Sequence, residues 1–135
     1  MAQALYDSYK QSLLDSSAPD LTSATVRAIF VTSTYTFSAA HDFFDDLTNT
    51  VGDGGTARAN GEALGGKTIT GGVFDATDPV FASVTGTSIS AFVLYVDSGV
   101  DATSNLIGYF DSISTISPSA IQVTINFDAA GIFSF

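Results

Sequence analysis

Residues 89–97 read Ile-Ser-Ala-Phe-Val-Leu-Tyr-Val-Asp, and those from 91 to 96 are apolar without a break. A run of that length is too short for a buried helix. It is rich in the β-branched and aromatic types that suit a pleated surface, so it predicts a central strand covered on both faces. Residues 98–104, Ser-Gly-Val-Asp-Ala-Thr-Ser, supply turn chemistry, and a second apolar run follows over 105–111. The two runs form a hairpin with a long connection. The rest of the chain must pack around that hairpin.

Length sets how much can be packed. A chain of 135 residues supports one domain with a substantial core, burying roughly two-thirds of its unfolded surface. Two independent domains would each be too small. No stretch of about 18 apolar residues is present, so no membrane span is expected. Asp7 and Lys10 interrupt the opening segment where a secretory signal requires a continuous apolar region. The chain has no cysteine, which removes disulfides and thiolate chemistry from consideration.

Four basic residues stand against fourteen acidic ones, for a formal net charge of −10. Phosphate affinity comes from clustered Lys and Arg, whereas Lys10, Arg27, Arg58 and Lys67 are scattered along the chain; nucleic acid is therefore not expected as a direct partner. The charged fraction is only 13%, about half of the roughly 25% usual in soluble domains. The polar surface must be built instead from Ser, Thr, Asn and Gly. Two readings stay open: a Ser/Thr-rich β-protein with nothing further implied, or a protein whose surface is largely covered by neighbours, because interface centres are depleted in Lys and Glu.

In chain order, Ala2, Leu5, Tyr6, Tyr9 and Leu13 fall at helical spacing and leave Asp7, Lys10 and Gln11 outside, which predicts an amphipathic helix over residues 1–15. Residues 25–135 are then the β core of a single domain spanning 1–135. Residues 25–32 form a strand with Val26, Ala28 and Phe30 on one face and Arg27, Ile29 and Val31 on the other. Ser38 is placed to cap a short helical segment in which Phe43, Phe44 and Leu47 share a side and Asp42, Asp45 and Asp46 face water. Residues 48–56 hold Asn49, Gly52, Asp53, Gly54 and Gly55, the composition of an excursion loop. Gly71-Gly72 between residues 67–70 and 73–75 is a two-residue hairpin signal requiring positive φ. Residues 80–85 alternate Val80, Ala82 and Val84 against Phe81, Ser83 and Thr85. Residues 112–119 are a loop. Residues 120–127 alternate with Ile121, Val123, Ile125 and Phe127 inward, and after a turn over 128–131 residues 132–135 form a last strand. Short strands with turns every eight to twelve residues predict a mainly β domain, an antiparallel β-sandwich or barrel with a short N-terminal α-helix and one short helical turn. No internal repeat is visible.

Reactive chemistry is sparse. His41 is the only histidine, which excludes His-rich metal sites, and a dyad with Asp42 is disfavoured because adjacent helical residues diverge by about 100°. The pairs and triples Asp42/Asp45/Asp46, Asp75/Asp78 and Asp97/Asp101 are candidate calcium ligands, although none has EF-hand spacing and Asp is also a common turn and cap residue. Gly52-Asp53-Gly54-Gly55 lacks the Lys-Ser/Thr ending of a phosphate-binding loop, and Gly65-Gly66-Lys67-Thr68 lacks its earlier glycine. Carbohydrate binding usually employs exposed aromatic platforms, and the absence of tryptophan disfavours it, since the eleven Phe are mostly needed for the core. No catalytic residue, metal or cofactor is assigned, and the chain is not expected to be an enzyme.

Several stretches together carry a family likeness. They are the opening Met-Ala-Gln-Ala-Leu-Tyr-Asp, the strand at 26–31, Phe43-Phe44-Asp45-Asp46-Leu47, and residues 64–76 (Leu-Gly-Gly-Lys-Thr-Ile-Thr-Gly-Gly-Val-Phe-Asp-Ala). To these add Val-Phe-Ala-Ser-Val-Thr-Gly over 80–86, Val-Leu-Tyr-Val-Asp-Ser-Gly over 93–99, Ala-Thr-Ser-Asn-Leu-Ile-Gly-Tyr-Phe-Asp over 102–111, and Gly131-Ile132-Phe133. In this order they resemble a family of small virion structural proteins of tailed bacteriophages. Members often carry tryptophan in the last long strand, where this chain keeps apolar character with Phe127. The resemblance implies a capsid decoration or cement protein, made in the host cytoplasm and located on the outer surface of the phage head. Its partners would be the major capsid protein and other copies of itself as a homo-oligomer, with no nucleic acid or membrane contact. The alternative is a tail or fibre-associated module that binds a host glycan or another tail protein, for which a concave groove with exposed Tyr35, Tyr95 or Tyr109 is expected. Tyr6, Tyr9 and Leu13 of the N-terminal helix, with Val51 and Asp53 of the 48–55 loop, are the candidate interface; ordinary core packing is the competing reading for each. On the interface reading, removing residues 1–15 leaves a folded domain that no longer binds.

Overall fold

A computed structural model of the chain describes residues 3–111, 113–128 and 131–134. The strands in order are β1 (Gln3–Leu5), β2 (Val26–Thr32), β3 (Thr50–Val51), β4 (Glu62–Ala63), β5 (Thr68–Thr70), β6 (Val73–Asp75), β7 (Val80–Val84), β8 (Ile89–Val96), β9 (Leu106–Phe110), β10 (Ile121–Thr124) and β11 (Phe133–Ser134). One α-helix, α1 (Asp7–Leu14), follows β1, and short 3₁₀ turns occur at Phe44–Asp46, Arg58–Asn60 and Asp101–Thr103. The fold is mainly β and antiparallel, as the pattern of short strands predicts.

The expected central strand is β8. It is paired along both edges, with β2 through Phe30↔Phe92 and Ile29↔Val93, and with β9 through Phe92↔Phe110. The main sheet runs β1-β9-β8-β2-β3, with β4 also on β2. This path does not close on itself, so the architecture is sandwich-like rather than a closed barrel.

Alternation along β2 and β8 divides the apolar side chains between two cores. Val26, Ala28, Phe30, Phe92 and Leu94 face one; Ile29, Val31, Ala91, Val93 and Tyr95 face the other. A second layer made of the β7–β10 pair and the β11-β6-β5 sheet closes the first core. Phe30 and Phe81 meet there at a ring separation of 4.6 Å, and Phe74 meets Phe133 at 5.4 Å. Truncating a ring as buried as Phe30 or Phe81 to alanine is expected to cost about 3–5 kcal/mol. Among the described residues no further sheet lies over the second core. Tyr35, Phe37, Phe44 and Leu47 from the segment after β2 cover it, together with Tyr6.

Several sequence expectations change. The predicted helix over residues 1–15 is split, because Gln3–Leu5 supplies a partner for the edge of β9 and only Asp7–Leu14 is helical; Ala2 lies outside the described residues. Leu13 is not on the buried side, and Leu14 is 89% exposed. Ser38 caps no helix. Its hydroxyl accepts only a long bond from Ala40 N–H, and the turn at Phe44–Asp46 has no side-chain cap. The 48–56 loop contains β3, whose Val51 pairs with Phe30. In β7 the strict alternation fails: Val84 is opposite Ile121 but Phe81 is opposite Val123, so β7 carries one extra residue. That bulge lets both Phe81 and Val84 point inward while Val80, Ala82 and Ser83 are exposed. Ile121, expected inside, is 42% exposed. The β5–β6 hairpin is as expected, with φ of 59° at Gly71 and 80° at Gly72. The expected loop residue 112, the turn residues 129–130 and the last strand position 135 lie outside the described residues.

Candidate interface

The residues chosen from sequence separate into two groups. Tyr6, Tyr9 and Val51 are core residues of this chain. Tyr6 occupies the second core, where its hydroxyl lies 3.0 Å from that of Tyr35, which in turn lies 2.9 Å from Nδ1 of His41. Burial, followed by the Tyr35 hydroxyl, pushes the Tyr6 phenol well above its ordinary value. Tyr9 sits in the first core edge-on to Phe133, and burial raises its phenol to about 12. Leu13 and Asp53 are the two candidates that reach the surface.

Asp53 marks the border of a different surface. Its carboxylate accepts a hydrogen bond from Ser83 N–H at 3.0 Å, and Gly54 N–H donates to Ser83 C=O at 2.8 Å, so this turn is tied to the bulge of β7. Next to it lie the outward side chains of β7 and β10: Val80 opposite Thr124, then Ala82, Ser83 and Gln122, while Ile121, opposite the buried Val84, belongs to the inward row and is exposed at its end. None of these is charged. Asp78, whose carboxylate accepts a bond from Phe127 N–H at 2.9 Å, stands at the other border. The sequence holds the signal for this surface, since residues 79–96 and 112–127 contain no Asp, Glu, Lys or Arg. In a chain of net charge −10, the acidic side chains are displaced from the layer formed by β7 and β10. Ile69 of β5 is 51% exposed between two threonines, in the separate β11-β6-β5 sheet where Asp75 stands opposite Thr68.

The acidic spots have other partners. Asp97 receives Arg27 Nε at 2.7 Å and Arg58 Nε at 2.6 Å, and Arg58 also reaches Asp101 at 2.5 Å. The two arginines that look scattered in sequence therefore converge, and the Asp97/Asp101 calcium candidate is an arginine site. Burial pushes the Asp97 carboxyl up, but bonds from Gly99 N–H and the two guanidinium groups outweigh it, leaving Asp97 below its ordinary value. Asp75 accepts a bond from Ala76 N–H. Asp46 accepts one from Asp42 N–H, while burial and the neighbouring Asp46 raise Asp42. Among the described residues no group of three or more His, Asp or Glu is arranged to hold a metal ion. No described helix is long and apolar enough to cross a membrane.

The tyrosines expected to line a glycan groove do not do so. Tyr95 and Tyr35 are buried, and Tyr109 is half-covered by stacking on Phe37 at 5.1 Å. No family model matches this chain, and no curated protein or solved structure matches it at significance.

Proposed function

We propose that this chain is a virion structural protein of a tailed bacteriophage, a decoration or cement protein that binds the outer surface of the head and stabilises the shell. The carrying observation is the uncharged outward surface of β7 and β10, in which Val80, 43% exposed, lies opposite Thr124 beside Ala82, Ser83 and Gln122 on a strongly acidic chain. Charge depletion at the centre and polar groups at the rim are the chemistry of a protein-binding patch. Ser, Thr and Gly have little side-chain freedom to lose on docking. The resemblance of the sequence to small phage virion proteins supports the same reading. On a symmetric shell a weak contact is repeated, and a copy that touches the major capsid protein and neighbouring copies gains by multivalency. The acidic remainder keeps free copies apart in the cytoplasm before assembly. The reading assigns no catalysis and no cofactor.

Co-sedimentation with undecorated phage heads tests it. Val80→Glu and Thr124→Glu place a charge in the patch and are expected to abolish binding, while the melting temperature stays close to that of the parent because both positions are at the surface. Retention of full binding by both variants would refute the assignment.

A further inference from the structure

We propose that the groove between β3 and the β7–β8 turn binds a neutral polyhydroxy ligand, one pyranose ring in size. The groove's lining includes neither Val80 nor Thr124 of the outward patch, and neither reading depends on the other. Its volume is about 380 Å³, inside the roughly 300–1,000 Å³ range of small-molecule sites. Asn49 and the threonines at 32, 50, 56, 85 and 87 form its polar wall, and no charged residue lines it.

The local hydrogen bonds hold some of these groups in place and leave capacity on others. Thr50 Oγ1 donates to Thr56 C=O at 2.7 Å and keeps its lone pairs. Ala120 N–H donates to Thr85 Oγ1 at 2.8 Å and leaves that hydroxyl proton available. Asn49 is held with φ at 56°, its C=O accepting from Thr32 N–H at 3.0 Å and its Nδ2 donating to Thr34 Oγ1 at 2.7 Å, which leaves Oδ1 as an acceptor. The Thr56 and Thr87 hydroxyls have no partner among the described residues.

Ligand class follows from that inventory. An anion meets no cation here and is repelled by the chain as a whole, and a cation meets no carboxylate in the lining. An apolar molecule would strand the hydroxyls it covered. A hydroxyl both donates and accepts, so a wall of hydroxyls matches a ligand built of hydroxyls. Val51 supplies an apolar contact for ring C–H groups. Gly86 supplies room: a Cβ there would lie 3.0 Å from Val51 Cγ2. With no aromatic platform in the lining, affinity is expected in the millimolar range.

The test is a ¹⁵N NMR titration of the full chain with D-glucose, D-galactose, D-mannose and N-acetyl-D-glucosamine, with D-glucuronate and cyclohexanol as anionic and apolar counterparts. At least one neutral sugar is expected to shift the amides of Asn49, Thr50, Gly86 and Thr87 saturably, and to do so more strongly than either counterpart. Thr87→Val, which removes one unpartnered hydroxyl at constant shape, is expected to weaken that titration about tenfold, the worth of one hydrogen bond. Gly86→Val fills the groove and is expected to abolish it. The proposal is overturned by linear, unsaturated shifts with all four sugars up to about 100 mM, well past a millimolar dissociation constant. It is equally overturned by shifts that map elsewhere, by cyclohexanol or glucuronate binding as well as the sugars, or by a Thr87→Val variant that titrates like the parent.

Discussion

Tyr6 and Tyr9, three residues apart, lie in cores on opposite faces of the main sheet. The chain passes around the sheet edge between them: β1 pairs with β9, Tyr6 enters the core under Tyr35 and Phe37, and α1 then lays Tyr9 against Phe133. An eight-residue helix is marginal alone, and here its one buried residue, Tyr9, ties it to the sheet.

Removing residues 1–15 is therefore expected to unfold the domain rather than leave a folded, non-binding one, which reverses the expectation from sequence. Tyr9→Ala is expected to cost about 3–5 kcal/mol. Tyr6→Phe, which ends the hydroxyl chain to Tyr35 and His41, should cost about 1 kcal/mol. Urea denaturation of the three proteins measures all of this; a cooperative transition in the truncated chain would contradict the first statement.

Asp97 gathers two guanidinium groups that come from distant parts of the chain. Asp97→Asn leaves Arg27 and Arg58 without their shared counter-charge and is expected to cost about 2–3 kcal/mol. The folded carboxyl titrates below its unfolded value. Its contribution is thus complete above the unfolded value of 3.8 and is lost as pH falls through the lower folded one. Stability curves of parent and variant should converge only in strong acid.

Glu62 behaves in the opposite sense. Burial, then the nearby Asp53, raises it above its ordinary value of 4.5. Its protonated form favours the fold, so this group adds stability as pH falls from neutral through the raised value toward 4.5. Glu62→Gln should stabilise the protein at pH 7 by about 0.5 kcal/mol after solvent screening, with the gain vanishing in mild acid. Thermal melts across that interval read the difference directly.

Gly61 has no room for a side chain. A Cβ would run into the Tyr95 hydroxyl, which donates to Arg58 C=O at 2.5 Å, and would lie 3.0 Å from Ala28 C=O. Gly61→Ala is expected to cost about 1–3 kcal/mol through displacement of that contact. A crystal structure of the variant should show the 58–61 segment lifted from β2, and Tyr95→Phe should restore part of the loss.

The elements legible in the sequence are those where local pattern and tertiary demand agree. The apolar run of β8, the alternation of β2 and the Gly71-Gly72 turn each specify themselves within a few residues. Long-range pairing overrode local pattern elsewhere: Gln3–Leu5 has helical spacing but answers the open edge of β9, and Val51 has loop neighbours but pairs with Phe30. Phe81 and Val84 are both inward only because of a bulge that no periodicity reveals. Of the candidate interface residues, only Leu13 and Asp53 reach the surface. Tyr6, Tyr9 and Val51 fell to the competing reading of core packing. The uncharged stretches at 79–96 and 112–127 were readable in the sequence, but that they place exposed side chains side by side depends on the β7–β10 pairing.

The measurement that tests the central reading most directly is electron microscopy of undecorated phage heads mixed with the purified chain. Ordered density outside the shell at symmetry-related positions is expected, with Val80, Ala82 and Thr124 turned toward the capsid protein. Bare shells, density found along tails, or a copy docked through a different face would contradict it.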